Sequence, residues 1–149
     1  MKFRLPLVNK NRKDITFYKD ENNKNIMLAS SLSARSFRRR IDFAEENHSL
    51  QMAIIPLKNG ENIRAHIHNP QRRETNFTEE IWILIRGSAL ATIYNLDGSM
   101  NSTLRLESGH ILHLYQGGHS LTPMGRKTLL YEIKNGPYTG SVNDRTYLE

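Results

Sequence analysis

From Leu50 onward, short apolar runs and turn residues follow each other at close intervals. The runs are LQMAIIPL, NIRAHIH, EEIWILIR, SALATIYNL, STLRL, HILHLY, HSLTP and TLLYEIK, separated by KNGE, NPQRRETN, Gly87, DGS, ESG, QGG, MGRK and NGP. Eight short β-rich stretches punctuated in this way predict an all-β sandwich or barrel, not alternating strands and helices. Asp97-Gly98 stands between Ile93, Tyr94 and Leu96 on one side and Leu104 and Leu106 on the other, which predicts a tight hairpin. Ahead of Leu50 the pattern is weaker. ITFYKD reads as a short strand and DENNKN as a turn. The segment IMLASSLSARSFRRRIDFAEEN accommodates a helix in part, with Ser33 as its candidate N-cap.

Strand periodicity converts these runs into faces, because residues i and i+2 point the same way. His66 and His68 then project together, with Arg64 in the same row. In FTEEIWILIRG one face carries Glu80, Trp82 and Leu84, and the other carries Ile81, Ile83 and Ile85. Both faces are apolar, so both require cover, from a partner subunit in a homodimer or from the N-terminal segment.

Composition narrows the classes. A chain of 149 residues is one domain by size. It has no cysteine, which excludes disulfides, thiolate metal sites and cysteine nucleophiles. The opening MKFRLPLVNKNRKD is charged within two residues and lacks the apolar core of a secretory signal, and no run approaches bilayer-spanning length. Cytoplasm is therefore the expected location, with no membrane. A net charge of +6 and a pI near 9.7 raise nucleic acid as a partner. The one basic cluster, SARSFRRR, lacks the interleaved aromatics of a single-strand binder, which favours a solvated basic face or a phosphate or carboxylate site.

The candidate chemistry starts from the paired histidines. Two imidazoles at i and i+2 on a strand can reach one metal ion from the same side. Arg64, in their row, either faces the same cavity as a bidentate anion binder or points to solvent. Tyr115 and Tyr138 can supply a hydrogen bond near a metal or sit as amphipathic rings at a barrel edge.

The spacing around the pair resembles the cupin family. GENIRAHIH is similar to the first half of the first cupin motif, EIWILIRG to its second half, and GHILHLYQGGH more loosely to the second motif. The resemblance implies that His66, His68, Glu80 and His119 form a three-histidine, one-glutamate metal set holding one divalent ion per chain, with Fe, Mn, Ni and Zn all compatible. Eleven residues separate His68 from Glu80 where the family has three or four, so NPQRRETNFTE reads as a lengthened loop. Glu74 and Glu79 are rivals for the carboxylate; strand phase and the six-residue step to Gly87 favour Glu80. Tyr115 or Leu114 stands where motif two has proline, and His113 or His110 competes with His119 as the last ligand.

Within the cupins the chain is most similar to the WbuC-type cupin fold metalloproteins of O-antigen and surface-polysaccharide biosynthesis. SARSF is similar to that family's entry motif, keeping Ser33 and Arg35, and YEIKNGPY resembles its closing motif. This implies an N-terminal extension over 1–32, a cupin double-stranded β-helix (a jelly-roll barrel) over 33–138 and a tail over 139–149. It also implies a carbohydrate-related ligand: a sugar, nucleotide sugar or small oxygenated metabolite. In such a site the metal acts as Lewis acid or oxygen binder, His113, His110 and Tyr115 are the candidate catalytic groups, and Arg64 and Arg35 the candidate ligand-binding cations. Three functions follow: a metal-dependent enzyme of isomerase, epimerase or oxygenase type; a non-catalytic ligand-binding cupin; and a metal-free epimerase-like cupin with a His–Asp couple and a tyrosine.

Overall fold

The computed structural model describes residues 14–33, 37–38, 40–44, 46–138 and 140–148. The strands are β1 (Ile15–Lys19), β2 (Met27–Ser33), β3 (Ile41–Asp42), β4 (Ala53–Ile54), β5 (Glu80–Arg86), β6 (Ser88–Tyr94), β7 (Met100–Glu107), β8 (His110–Leu114), β9 (Gly118–Pro123) and β10 (Leu129–Lys134). One helical turn, α1 (Ser141–Asp144), follows. The architecture is all-β, as the punctuation of the sequence predicts.

Two antiparallel sheets face each other. The larger has the order β1-β2-β8-β5-β10 and the smaller β7-β6-β9, and among the described residues no ladder joins them into a closed barrel. Register defines the inner wall. Thr16, Ser31, Leu112, Trp82 and Glu132 form one inward row, and Tyr18, Ala29, Leu114, Glu80 and Lys134 the next. Their apolar members, with Leu84, close against Ala89, Ala91, Ile93 and Leu106 of the smaller sheet; all of these are 7% exposed or less. The outward rows carry Ile15, Leu32, Ile111 and Ile83, then Phe17, Ser30, His113 and Ile81. Phe43, with Phe37, Ile41, Met52 and Ile54, covers the β1-β2-β8 half of that face. The cover on the outer face is thus the segment around β3 and β4. Toward β10 the outer face stays open, with Tyr131 58% and Ile133 47% exposed.

Three expectations change. NIRAHIH forms no strand: residues 61–78 are exposed at every position and join no ladder with a described strand. An unpaired strand leaves its backbone groups to water and has no ladder to hold it, however strong its alternation. LQMAIIPL contracts to the two residues of β4. The helix placed in IMLASSLSARSFRRR is overturned over its first part. Met27–Ser33 pairs with β1 and β8, so Ser33 ends a strand; residues 34–36, where a helix capped by Ser33 would begin, lie outside the described residues. Within residues 15–33, β1 and β2 are two strands of the larger sheet, with β2 lying between β1 and β8.

Two glycines hold turns that no other residue fits. Gly98, at φ +84°, closes the Asp97-Gly98 hairpin, and Ser99 N–H donates to Asp97 Oδ1 at 2.9 Å. Gly87, at φ +83°, separates β5 from β6; a Cβ there would lie 2.7 Å from the Lys127 carbonyl oxygen.

Candidate functional site

Glu79 immediately precedes β5 and Glu80 opens it, and the extended backbone sends one carboxylate to each face of the larger sheet. Each carboxylate organises its own cluster.

Glu80 points inward. Its Oε2 lies 3.3 Å from His119 Nε2, on β9 of the opposite sheet, and accepts a 3.2 Å hydrogen bond from Trp82 Nε1. The Trp82 and His119 rings meet edge to face at 5.1 Å. The hydrogen bond from His119 holds the Glu80 carboxyl below the usual range. Burial opposes this, while the charges of His119 and Lys134 and the Trp82 bond support it. This is a carboxylate–imidazole pair spanning the two sheets, with the chain's single tryptophan as its wall.

Glu79 points outward and is 5% exposed. Its Oε1 accepts from His48 Nδ1 at 3.1 Å and from the Ser49 amide at 3.0 Å, and its Oε2 accepts from the Leu50 amide at 3.1 Å. His113, fully buried on β8, places Nε2 3.4 Å from Oε2, at ion-pair distance but outside hydrogen-bond geometry. The Tyr115 ring packs against both imidazoles, at 4.3 Å from His48 and 4.1 Å from His113; its hydroxyl pairs with Ser30 Oγ at 2.9 Å and donates to the Phe43 carbonyl at 3.1 Å. Burial alone would raise the Glu79 pKa; the two amides and His48 outweigh it and hold the carboxyl low. Burial dominates at His113 and pushes its pKa down to about 4, against the attraction of Glu79. His113 is therefore neutral at neutral pH.

The remaining expected site residues lie elsewhere. His66 and His68 sit in the exposed stretch between β4 and β5, their rings edge to face at 4.9 Å. His66 Nδ1–H donates to the Arg64 carbonyl at 2.8 Å, which leaves Nε2 with its lone pair outward, the tautomer a metal ligand requires. Arg64 is exposed. Arg35 lies outside the described residues. His110 lines the inner wall at the end of β8 remote from Glu80, paired with Ser33 where Glu80 pairs with Leu114. Among the described residues, no three His, Asp or Glu side chains gather as a metal-holding group. The structure brings together Glu80 and His119 and leaves His66 and His68 apart from them.

The outward cluster had one legible signal, the paired glutamates at a strand start. His48 had none, since it comes from a segment without clear periodicity. No described helix is long and apolar enough to cross a membrane. No family model, curated protein or solved structure matches the chain.

Proposed function

We propose that the protein is a metal-binding cupin. Its cation sits at Glu80 and His119, and His66 and His68 are delivered by the long segment before β5. The observation that carries this reading is the Glu80–His119 pair, a buried carboxylate and an imidazole brought from opposite sheets to 3.3 Å. The donor chemistry suits a divalent transition ion. Glu80 and His119 supply two donors, and the two histidines of the preceding segment would complete the set.

Support for delivery comes from how the segment is held. Glu79 binds the amides of Ser49 and Leu50, and Asn135 Nδ2 donates to Thr75 Oγ1 at 3.3 Å and to the Phe77 carbonyl at 3.0 Å. Both feet of the excursion are thereby fixed next to Glu80. His68 is eleven residues from Glu79, and an extended chain of that length spans up to ~36 Å, so reach does not limit the histidines.

The ligand class in this reading is a sugar, nucleotide sugar or small oxygenated metabolite of surface-polysaccharide metabolism, and the assembly a cytoplasmic homodimer. Between catalysis and ligand binding without turnover, the second gains from the placement of the candidate bases. His113 and Tyr115 are sealed under the outer cover, and His110 lies at the other end of its strand. A metal-free epimerase-like site would need its histidine, carboxylate and tyrosine on the ligand face, whereas His48, Glu79 and Tyr115 face the opposite way.

Elemental analysis of protein purified without a nickel column tests the proposal. One divalent ion per chain is expected, lost in His119→Ala and Glu80→Gln and weakened in His66→Ala. Metal content unaffected by Glu80→Gln and His119→Ala overturns it, as does a chain that takes up no divalent ion.

A further inference from the structure

β1 and β7 are the facing edges of the two sheets, and among the described residues the seam between them stays open as a crevice of about 120 Å³. Its walls break the rule followed by the rest of the inner face. Elsewhere the inward positions are predominantly apolar, with Ala29, Leu112, Leu114, Trp82 and Leu84 among them. At the seam they are hydroxyls: Thr16 and Tyr18 from β1, Ser31 and Ser33 from β2. Leu104 and Leu106 of β7 supply the apolar side. Thr16 and Ser33 are exposed and Tyr18 and Ser31 half-buried, so the four hydroxyls line the gap within reach of a molecule from solvent.

The hydrogen-bonding states are partly fixed. The Glu107 amide donates to His110 Nδ1 at 3.2 Å, which sets the ring's proton on Nε2 and makes that atom a donor. Tyr18 and Ser31 share a 3.3 Å hydroxyl contact in which either can donate, so both keep further donor and acceptor capacity. Among the described residues, charge at the rim is not positive. Arg105 is already engaged by Glu107, Nε to Oε1 at 3.2 Å, and Asp14 adds a carboxylate. An anion would find its cation taken and a negative neighbour.

We infer that this crevice is a second binding site, for a small neutral polyol or for one hydroxyl-bearing edge of a sugar ring. Vicinal hydroxyls need partners that both donate and accept, which serine, threonine and tyrosine do, and the C–H face of a polyol suits Leu104 and Leu106. The volume equals the bulk-liquid share of about four waters, room for a three- or four-carbon polyol or a ring edge but not a nucleotide. The site stands apart from Glu80: the four residue steps of β8 from His110 to Leu114 set the two ends about 13 Å apart. It therefore holds whether or not a cation binds at Glu80.

The test is an amide-resolved NMR titration of the full chain with erythritol, D-glucose and inorganic phosphate. Erythritol or glucose should produce saturable shifts at Thr16, Ser31, Ser33 and His110. Thr16→Val and Ser33→Ala, each at an exposed position and made separately, should each weaken binding roughly threefold to tenfold, the worth of one hydrogen bond. A well-dispersed spectrum in either variant verifies the fold. Shifts at these residues with phosphate but not with either polyol overturn the inference. So does the absence of a saturable response up to about 0.1 M, beyond the weakest specific affinity such a site would have.

Discussion

Substitution of Glu79 by alanine should be the most damaging single change on the outer face of the larger sheet. The carboxylate accepts three bonds in good geometry, from the Ser49 and Leu50 amides and from His48, and shields His113 at 3.4 Å. A buried donor left without a partner costs about 1–3 kcal/mol. Ser49, Leu50 and His48 are only half-buried, so each belongs at the low end, about 1 kcal/mol. With the lost His113 contact, the sum is about 3–4 kcal/mol. For a chain of this length each kcal/mol moves the melting temperature by roughly 3 °C, so Glu79→Ala should melt about 10 °C lower. Glu79→Gln keeps one acceptor oxygen and should fall between. Calorimetry gives the global value, and hydrogen exchange at the Ser49 and Leu50 amides gives the local one, since those amides should lose protection first. A loss below about 1 kcal/mol, or unchanged exchange at both amides, would refute the clamp.

Acid should destabilise the fold in two windows. The folded pKa of His113, about 4, lies below its unfolded value of 6.5, so the unfolded chain binds the extra proton between them. Stability is full above pH 6.5 and declines as pH falls toward 4, by at most about 3 kcal/mol, and denaturant midpoints across that range should flatten in His113→Phe. Glu79 and Glu80 are both held low, so their contribution is present above their unfolded value of 4.5 and is lost only below it. Gly87→Ala should cost about 2–3 kcal/mol in urea unfolding, because the positive φ and the Lys127 carbonyl at 2.7 Å both oppose a side chain. Trp82, bonded to Glu80 and edge-on to His119, is a built-in reporter: Cu²⁺ should quench its emission saturably in the wild type and not in Glu80→Gln. Limited proteolysis should cut first within residues 60–77, exposed throughout and free of regular structure, and leave the sheets intact.

How legible the chain was depended on whether the determining interaction is local. Asp97-Gly98 was readable because the turn between β6 and β7 is decided locally, by the positive φ of Gly98. The alternation in EEIWILIR told which residues of β5 share a face, since the pleat has period two whatever lies opposite; which face looks inward came only with the second sheet. The same rule applied to NIRAHIH gave a strand that does not form. Alternation predicts a face only after a neighbouring strand has paired, and pairing is a long-range event. For the same reason LASSLS, half apolar and rich in serine, was open to a helix until β1 and β8 closed on either side of it.

The sequence by itself determined the all-β class, the position of the main turns and the fact that Glu79 and Glu80 must part to opposite faces. Only the tertiary structure decided what each carboxylate meets: His119 from the opposite sheet for one, His48 and His113 for the other. It also decided that the seam of hydroxyls between β1 and β7 stays open. Backbone periodicity is a property of adjacent residues and is written along the chain. A contact between residues tens of positions apart is set by which edges pair and which faces pack, and those choices are made by the whole fold at once.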